Sequence, residues 1–313
     1  MSGERVSVEN FVRAETDRMF AVLVTDAGGV NRFNHSREPT PLGHQPVIRM
    51  NRDTLYSFAV VDISAGATVT VPESGERYLS VMIINQDHYI NRILHDAGEY
   101  DLGIDELDTP YVGVGVRILV DPNDAGDIAS VAALQDRFAV VADAARPFVP
   151  PDYDATTLDA TRKALLQLAR NLRGFEGAFG AKSEVDPIKH LIGTAAGWGG
   201  LPANEAFYVN VDPGLPVGRY ALRVGNVPVD GFWSISLYDA DGFFPNTGQP
   251  VSVNNLTAAR DPDGTITVHF GDWGDGTPNR LPISDGWNYL IRLYRPRTEI
   301  LDGSWTFPAV EAA

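Results

Sequence analysis

Apolar residues change their period along this chain, and each change marks a different kind of element. Across residues 7–27, Phe11, Phe20 and Leu23 mix with Val12, Met19 and Val22 at roughly helical spacing before Gly28-Gly29 stops the run, which predicts an N-terminal helix. From residue 58 onward the pattern shortens to β-branched runs at 58–63, 67–71, 78–84 and 112–120, separated by Gly, Pro, Asn and Asp, as in antiparallel strands. Residues 124–138 and 156–179 return to helical spacing. In the second of these Leu158, Leu165, Leu168 and Leu172 share a face that Arg162, Lys163 and Arg170 largely avoid. Residues 146–152 (RPFVPPD) form a stiff connector between them. Beyond Leu201-Pro202, strands are predicted at 206–211, 219–224, 232–239, 265–270 and 289–294.

The two strand-rich halves repeat an order of local patterns. Asp53-Thr54-Leu55-Tyr56 leading to Val61-Asp62 is echoed by Glu205-Ala206-Phe207-Tyr208 leading to Val211-Asp212. The run from Tyr78 through Ser80 is echoed by the run from Phe232 through Ser234, and Val116-Arg117 by Ile291-Arg292. The expected class is α+β, mainly β: two related antiparallel β-sandwich or jelly-roll-like lobes with a helical segment between them and an N-terminal helix. The corresponding division is residues 1–145 for the helix and first lobe, 146–200 for the helical connector and 201–313 for the second lobe.

Composition narrows the function classes. The 313 residues carry 41 acidic against 25 basic side chains, a formal charge of −16, which repels nucleic acid and anionic membranes. No run of 18 or more apolar residues occurs, and residues 1–10 (MSGERVSVEN) lack the basic start and apolar stretch of a secretory signal, so a cytoplasmic location is expected. With no cysteine, disulfides, thiolate nucleophiles and zinc–thiolate sites are excluded. The partners expected are a small-molecule ligand and, among proteins, further copies of the chain.

Asn31 and His35, the run Asn51-Arg52-Asp53-Thr54-Leu55-Tyr56-Ser57, Val61-Asp62, Val71-Pro72 and Arg77-Tyr78 resemble the first module of a bacterial family of tandem domains of unknown function, the module numbered 1254. Phe232-Trp233-Ser234, Leu237-Tyr238-Asp239, Asn246, Asp263-Gly264, Leu281-Pro282, the run from Arg292 to Pro296 and the run from Leu301 to Trp305 resemble the second, numbered 1214. The resemblance implies a pair of β-sandwich-like lobes with helices beside them and names no activity. The chain departs from the second module at Asn279-Arg280-Leu281-Pro282, where an Asn-Trp pair is usual, so no aromatic role carries over there.

The densest chemistry lies in residues 50–57, at a strand entrance, where unbonded polar groups would cost stability. Strand alternation puts Asn51, Asp53, Leu55 and Ser57 on one face and Arg52, Thr54, Tyr56 and Phe58 on the other. Asp53 is a candidate general base or metal ligand, or else a structural acceptor for Arg52 and backbone amides. Tyr56 is a candidate donor to a substrate oxygen, or else a half-buried edge tyrosine. Of the six histidines, His35 in its polar loop and His88 beside Asp87 are the candidates for acid–base work; the plain alternative for His35 is a hydrogen bond to a backbone carbonyl. His44, His95, His190 and His269 are read as surface or satisfied core groups.

No His-x-Glu or His-x-x-x-His spacing occurs, which argues against zinc hydrolase motifs, and no cofactor is predicted. A site assembled from His35, Asp53, Asp87 and His88 would suit magnesium or calcium better. Neither a Gly-x-Ser-x-Gly elbow nor a phosphate loop is present; residues 193–200 (GTAAGWGG) read as a loop over a pocket or a tight helix end. In the second half, Tyr238, Asn246, Arg292 and Tyr294 are recognition groups suited to an oxygenated or anionic molecule, while Trp233 reads as core. Two functions follow. One is a hydrolytic or isomerising small-molecule enzyme with His35, Asp53 and Tyr56 catalytic and Asn51, Arg52, Thr54, Asp87 and His88 in support. The other is a noncatalytic binder of a sugar or organic acid.

Overall fold

A computed structural model describes residues 3–45, 48–172 and 174–313, and the chain divides into two compact units. Unit one comprises Met1–Arg37, Leu55–Leu119 and Ala129–Ala203; unit two comprises Glu38–Thr54, Val120–Ile128 and Asn204–Ala313. Neither unit is contiguous in sequence. The fold is mainly β with antiparallel sheets, and among the described residues no helix is long and apolar enough to cross a membrane.

The first part of the chain forms α1 (Phe11–Ala27), β1 (Asn34–His35), β2 (Thr54–Asp62), β3 (Ala67–Val71), β4 (Leu79–Asn85), β5 (Ile90–Leu94) and β6 (Gly98–Leu102). It continues with α2 (Ile104–Leu107), β7 (Tyr111–Leu119), α3 (Ala125–Gln135), β8 (Ala139–Ala142), α4 (Ala155–Ala169) and α5 (Pro187–Gly197). The strands form sheets ordered β1-β2-β7-β4-β5 and β6-β3-β8. Helix α1 ends at Gly28, whose φ of 71° is the left-handed conformation that glycine adopts without strain. Its apolar face buries Phe11 and Ala14 against Leu158 and Leu165 of α4 and Ile192 of α5, so the helices of the middle segment belong to unit one. Asp154 and Asp186 cap α4 and α5 by accepting hydrogen bonds from backbone N–H groups in the first turn.

One helical expectation is corrected. Helix α4 stops at Ala169 and does not run to residue 179, because Asn171, Gly174 and Gly177 follow, the last at φ 77°. Of the two readings of the glycine-rich run at 193–200, the helix end is the one found: Gly193 to Gly197 form the last part of α5, and a Cβ at Gly193 would come 2.8 Å from the Cβ of Ala178. Glycine there permits close packing rather than a turn.

Unit two contains β9 (Ala206–Val211), β10 (Tyr220–Val224), β11 (Trp233–Tyr238), β12 (Ser252–Asn254), β13 (Ile266–Phe270), β14 (Arg280–Leu281), β15 (Asn288–Tyr294), α6 (Thr298–Leu301) and β16 (Glu311–Ala312). One sheet is ordered β12-β11-β15-β9 and the other β14-β13-β10-β16. Their facing apolar residues, among them Trp233, Ile235, Leu237, Ile291, Leu222, Val268 and Phe270, form the core of the unit.

The internal repeat read from sequence is present in the topology. The order β2-β7-β4-β5 in unit one matches β9-β15-β11-β12 in unit two, and β3 pairs with β6 as β10 pairs with β13. Registers agree as well: Ser80 lies opposite Arg117 in one unit and Ser234 opposite Arg292 in the other.

Candidate functional site

Strand β11 reads Trp-Ser-Ile-Ser-Leu-Tyr, and all six residues are buried. Alternation sends Trp233, Ile235 and Leu237 into the sandwich core, which leaves Ser234, Ser236 and Tyr238 on the opposite face of the sheet. Cross-strand register adds Arg292 and Asn254 beside Ser234, and Asn288 beside Tyr238. This face is therefore polar although it is buried, and the loop leading into β2 supplies its remaining groups.

Asp53 is wholly buried, and Ser234 Oγ donates to its Oδ2 at 2.6 Å. Its own N–H donates to Asn51 Oδ1 at 2.9 Å, closing a turn, and its carbonyl accepts from Val120 N–H at 2.9 Å. Burial pushes the Asp53 carboxyl above its usual range, against the pull of the Arg292 guanidinium, of the hydrogen bond from Ser234 and of the neighbouring Asn254 side chain. Asn51 Nδ2 donates to Thr54 Oγ1 at 3.1 Å and to Tyr294 Oη at 2.9 Å. Arg52 donates to the Thr40 carbonyl, and burial lowers its pKa.

Arg292 is also buried, and both of its Nη groups donate hydrogen bonds. Nη1 donates to Ser236 Oγ at 2.7 Å; Nη2 donates to the carbonyls of Arg49 and Met50, each at 3.0 Å, and to Tyr238 Oη at 2.8 Å. Tyr238 Oη in turn donates to the Met50 carbonyl at 2.7 Å. Burial opposes the guanidinium charge, but Tyr238, Tyr294 and Asp53 together hold its pKa above the ordinary value. Arg292 and Tyr238 thus clamp the backbone of residues 49–50. Among the described residues, three buried polar atoms near this face, Arg49 Nη1, Asp53 Oδ1 and Asn288 Oδ1, have no hydrogen-bond partner. Asn246 is exposed.

A polar cleft of about 300 Å³ opens beside this cluster in the same unit. Asp121, Asn123, Ser252, Thr257, Thr277 and Arg280 are among its lining residues. One wall is linked to Asp53: Asn254 Oδ1 accepts from the Thr257 N–H and hydroxyl, each at 3.0 Å, and the Asn254 side chain neighbours the Asp53 carboxylate and counters the rise of its pKa.

The other sequence candidates lie in unit one. His35 Nδ1 is 2.7 Å from Ser57 Oγ, to which Gln135 Nε2 donates at 3.1 Å. Desolvation and the neighbouring Arg37 lower the His35 pKa. The ring of Tyr56 stacks on Phe58 and lies under the Arg117 guanidinium at 5.6 Å. Asp87 forms an ion pair with Arg13 at 2.6 Å. His88 is fully buried, with Gly199 N–H donating to Nε2 and Nδ1 placed 2.9 Å from Thr194 Oγ1. The rest of the histidine reading matches what is found at His95, His190 and His269, each of which contacts a backbone carbonyl. Among the described residues no group of three or more His, Asp or Glu side chains converges as a metal ion would require.

The structure brings the separate sequence candidates Asn51, Asp53, Thr54, Tyr238, Arg292 and Tyr294 into one cluster; Ser234, Ser236, Asn254 and Gln135 were not among the candidates. A signal existed for the serines: two polar residues at alternate positions of a strand otherwise made of large apolar side chains.

Among solved structures, a protein from Vibrio parahaemolyticus is similar over 98% of this chain and 97% of its own, with 18% identity and a TM-score of 0.74. An uncharacterised protein from Burkholderia cenocepacia is similar over 96% of this chain and 86% of its own, with 14% identity and a TM-score of 0.55. Both likenesses concern the fold. No curated protein matches the chain. Residues 30–98 match the family described as protein of unknown function DUF1254, and residues 216–298 match protein of unknown function DUF1214. The first match covers β1 to β5 and the second covers β10 to β15. The chain is therefore a tandem of these two domains of unknown function, DUF1254 followed by DUF1214.

Proposed function

We propose that unit two binds a small oxygenated organic molecule, a sugar or a hydroxy acid, in the polar cleft that adjoins Asp53. The observation that carries this reading is the link from the cleft to the buried cluster. Thr257, on the cleft wall, is held by Asn254, which also stands close enough to the Asp53 carboxylate to pull against its raised pKa. The lining mixes hydroxyls and amides with one guanidinium, Arg280, and one carboxylate, Asp121, a balanced donor–acceptor set that suits a polyol better than a strongly charged ligand. A volume of about 300 Å³ stands at the small end of ligand sites, which favours a molecule of monosaccharide size. Asp53, Arg292 and Tyr238 then act behind the cleft wall, fixing the surfaces that the ligand meets.

Thermal-shift titration with monosaccharides and short hydroxy acids tests this. A true ligand at ~100 times its dissociation constant adds ~2.7 kcal/mol of stability. Thr257→Val and Arg280→Ala should remove the shift without lowering the basal melting temperature by more than a few degrees. If no compound shifts the wild type, or the shift survives both substitutions, the reading fails.

Hydrolytic catalysis is a second reading, favoured by the His35–Ser57 pair in unit one. Because Gln135 donates to Ser57 Oγ, the serine hydrogen is free to point at His35 Nδ1, and the lowered His35 pKa keeps the ring neutral as a base requires. Labelling by an alkyl fluorophosphonate, read as a mass increase absent in Ser57→Ala, would support it. Ser57 is fully buried, so resistance to the reagent would sink it.

A further inference from the structure

We propose that the sandwich of unit two contains a second ligand site, an apolar pocket for a neutral molecule with a hydrocarbon body and one hydrogen-bond acceptor. A cavity of about 530 Å³ lies against the inner face of the sheet at β9 and β15, far larger than the water-sized voids of an ordinary core. Its origin is topological. Strand β9 is the edge of its sheet, and its inward residues Phe207, Val209 and Val211 are only partly buried, whereas Ile291 and Leu293 on β15 are covered. The far wall is not a strand but the C-terminal segment from Gly303 to Val310. That segment is held by the Trp305 N–H donating to the Glu299 carbonyl at 2.7 Å and by the edge-on contact of Phe307 with Trp233.

The chemistry of the lining selects the ligand class. No lining residue carries a charge, so neither a carboxylate nor an ammonium head would be compensated. Tyr289 lines the pocket while being almost wholly buried, and its hydroxyl makes no hydrogen bond with any described residue. Burial raises the Tyr289 pKa to about 12, so the phenol stays a donor at any physiological pH. A ketone, ester or alcohol oxygen at one end of an alkyl chain would satisfy it. This site is separate from the polar cleft: the two share no lining residue.

The test uses the full chain and the neutral fluorescent probe N-phenyl-1-naphthylamine, with decan-2-one as competitor. Saturable enhancement at one probe per chain is expected, reversed by decan-2-one. Val209→Trp, which fills the pocket from β9, should abolish enhancement while near-ultraviolet circular dichroism stays unchanged. Tyr289→Phe provides a variant that keeps packing. It should weaken decan-2-one about tenfold, the scale of one hydrogen bond, and leave probe affinity in place. Non-saturable enhancement, enhancement that survives in Val209→Trp, or equal decan-2-one affinity in Tyr289→Phe would overturn the proposal. So would a probe effect that tracks a concentration-dependent rise in sedimenting mass, since a second copy of the chain would then be the occupant.

Discussion

His88 occupies the left-handed region at φ 62° and is fully buried, so its ring has one arrangement open to it. Gly199 N–H donates to Nε2, which must therefore be unprotonated. Nδ1–H then donates to Thr194 Oγ1, whose own hydrogen goes to the His190 carbonyl at 2.8 Å. Protonation at Nε2 would break the first bond, and burial, with His190 adding to it, depresses the pKa from 6.5 to about 3. Below pH 6.5 the unfolded chain takes up a proton that the folded chain refuses. The contribution is thus complete above pH 6.5 and is lost as the pH falls towards 3, at up to ~1.4 kcal/mol per pH unit. Urea unfolding at pH 7.5, 6 and 5 should show that slope in wild type and a shallower one in His88→Gln; equal slopes would refute the assignment. Asp53 has the opposite sign. Its raised pKa means that the folded chain holds a proton the unfolded chain releases, so stability is lost as pH rises above 3.8 and through the folded pKa. Asp53→Asn keeps an acceptor for Ser234 and removes the buried charge. It should be at least as stable as wild type at pH 7.5, an advantage that vanishes near pH 3.8; a large loss at pH 7.5 would show that pairing with Arg292 outweighs burial.

Between α1 and the first sheet, the spacing depends on one glycine of β7. A Cβ at Gly113 would stand 2.9 Å from Phe20 Cε1 on the helix and 2.9 Å from Ile84 Cγ2 on the neighbouring strand. Both neighbours are buried, and relief requires the helix or the strand to shift. Gly113→Ala is expected to cost ~1–3 kcal/mol by overpacking, measured by denaturant midpoint, and Phe20→Leu in the same chain should recover part of it. A neutral Gly113→Ala would mean that the helix rides freely on the sheet. The same packing explains what was readable at this scale. Strands 67–71 and 206–211 were legible to the residue because their apolar positions are set by burial. Strands β6 and β8 were not, since β6 (GEYDL) is mostly exposed and β8 (AVVA) is a four-residue edge, so neither carries a period strong enough to read. Helix α5 was hidden for a different reason: its glycines serve contact with Ala178 and Phe179, and nothing local distinguishes such a glycine from a loop glycine.

At the scale of the whole molecule, the duplication places a serine opposite an arginine in both units, and in unit two a buried carboxylate, Asp53, stands beside the pair. The motif around Asn51 contains that carboxylate; its partner Ser234 lies 181 residues away, a contact that no local pattern encodes. Such a separation has a consequence for how unit two can be divided. A fragment of residues 204–313 retains both sheets of the unit yet loses its other segments, residues 38–54 and 120–128. Arg292 would then lose the carbonyls of Arg49 and Met50 and the charge of Asp53, keeping Ser236, Tyr238 and the neighbouring Tyr294. Each hydrogen bond broken on this polar face costs ~1–3 kcal/mol where the group left behind stays shielded from water, a large share of the stability of a domain this size. The fragment is expected to lack a cooperative thermal transition by near-ultraviolet circular dichroism. Arg292→Leu should restore one in the fragment, because it removes the guanidinium that has lost those partners while filling the space, yet the same substitution should destabilise the full chain, where residues 49–50 would lose their clamp. A fragment that melts cooperatively at the temperature of the full chain, with Arg292 intact, would show that the loop carrying Asp53 is dispensable to the lobe.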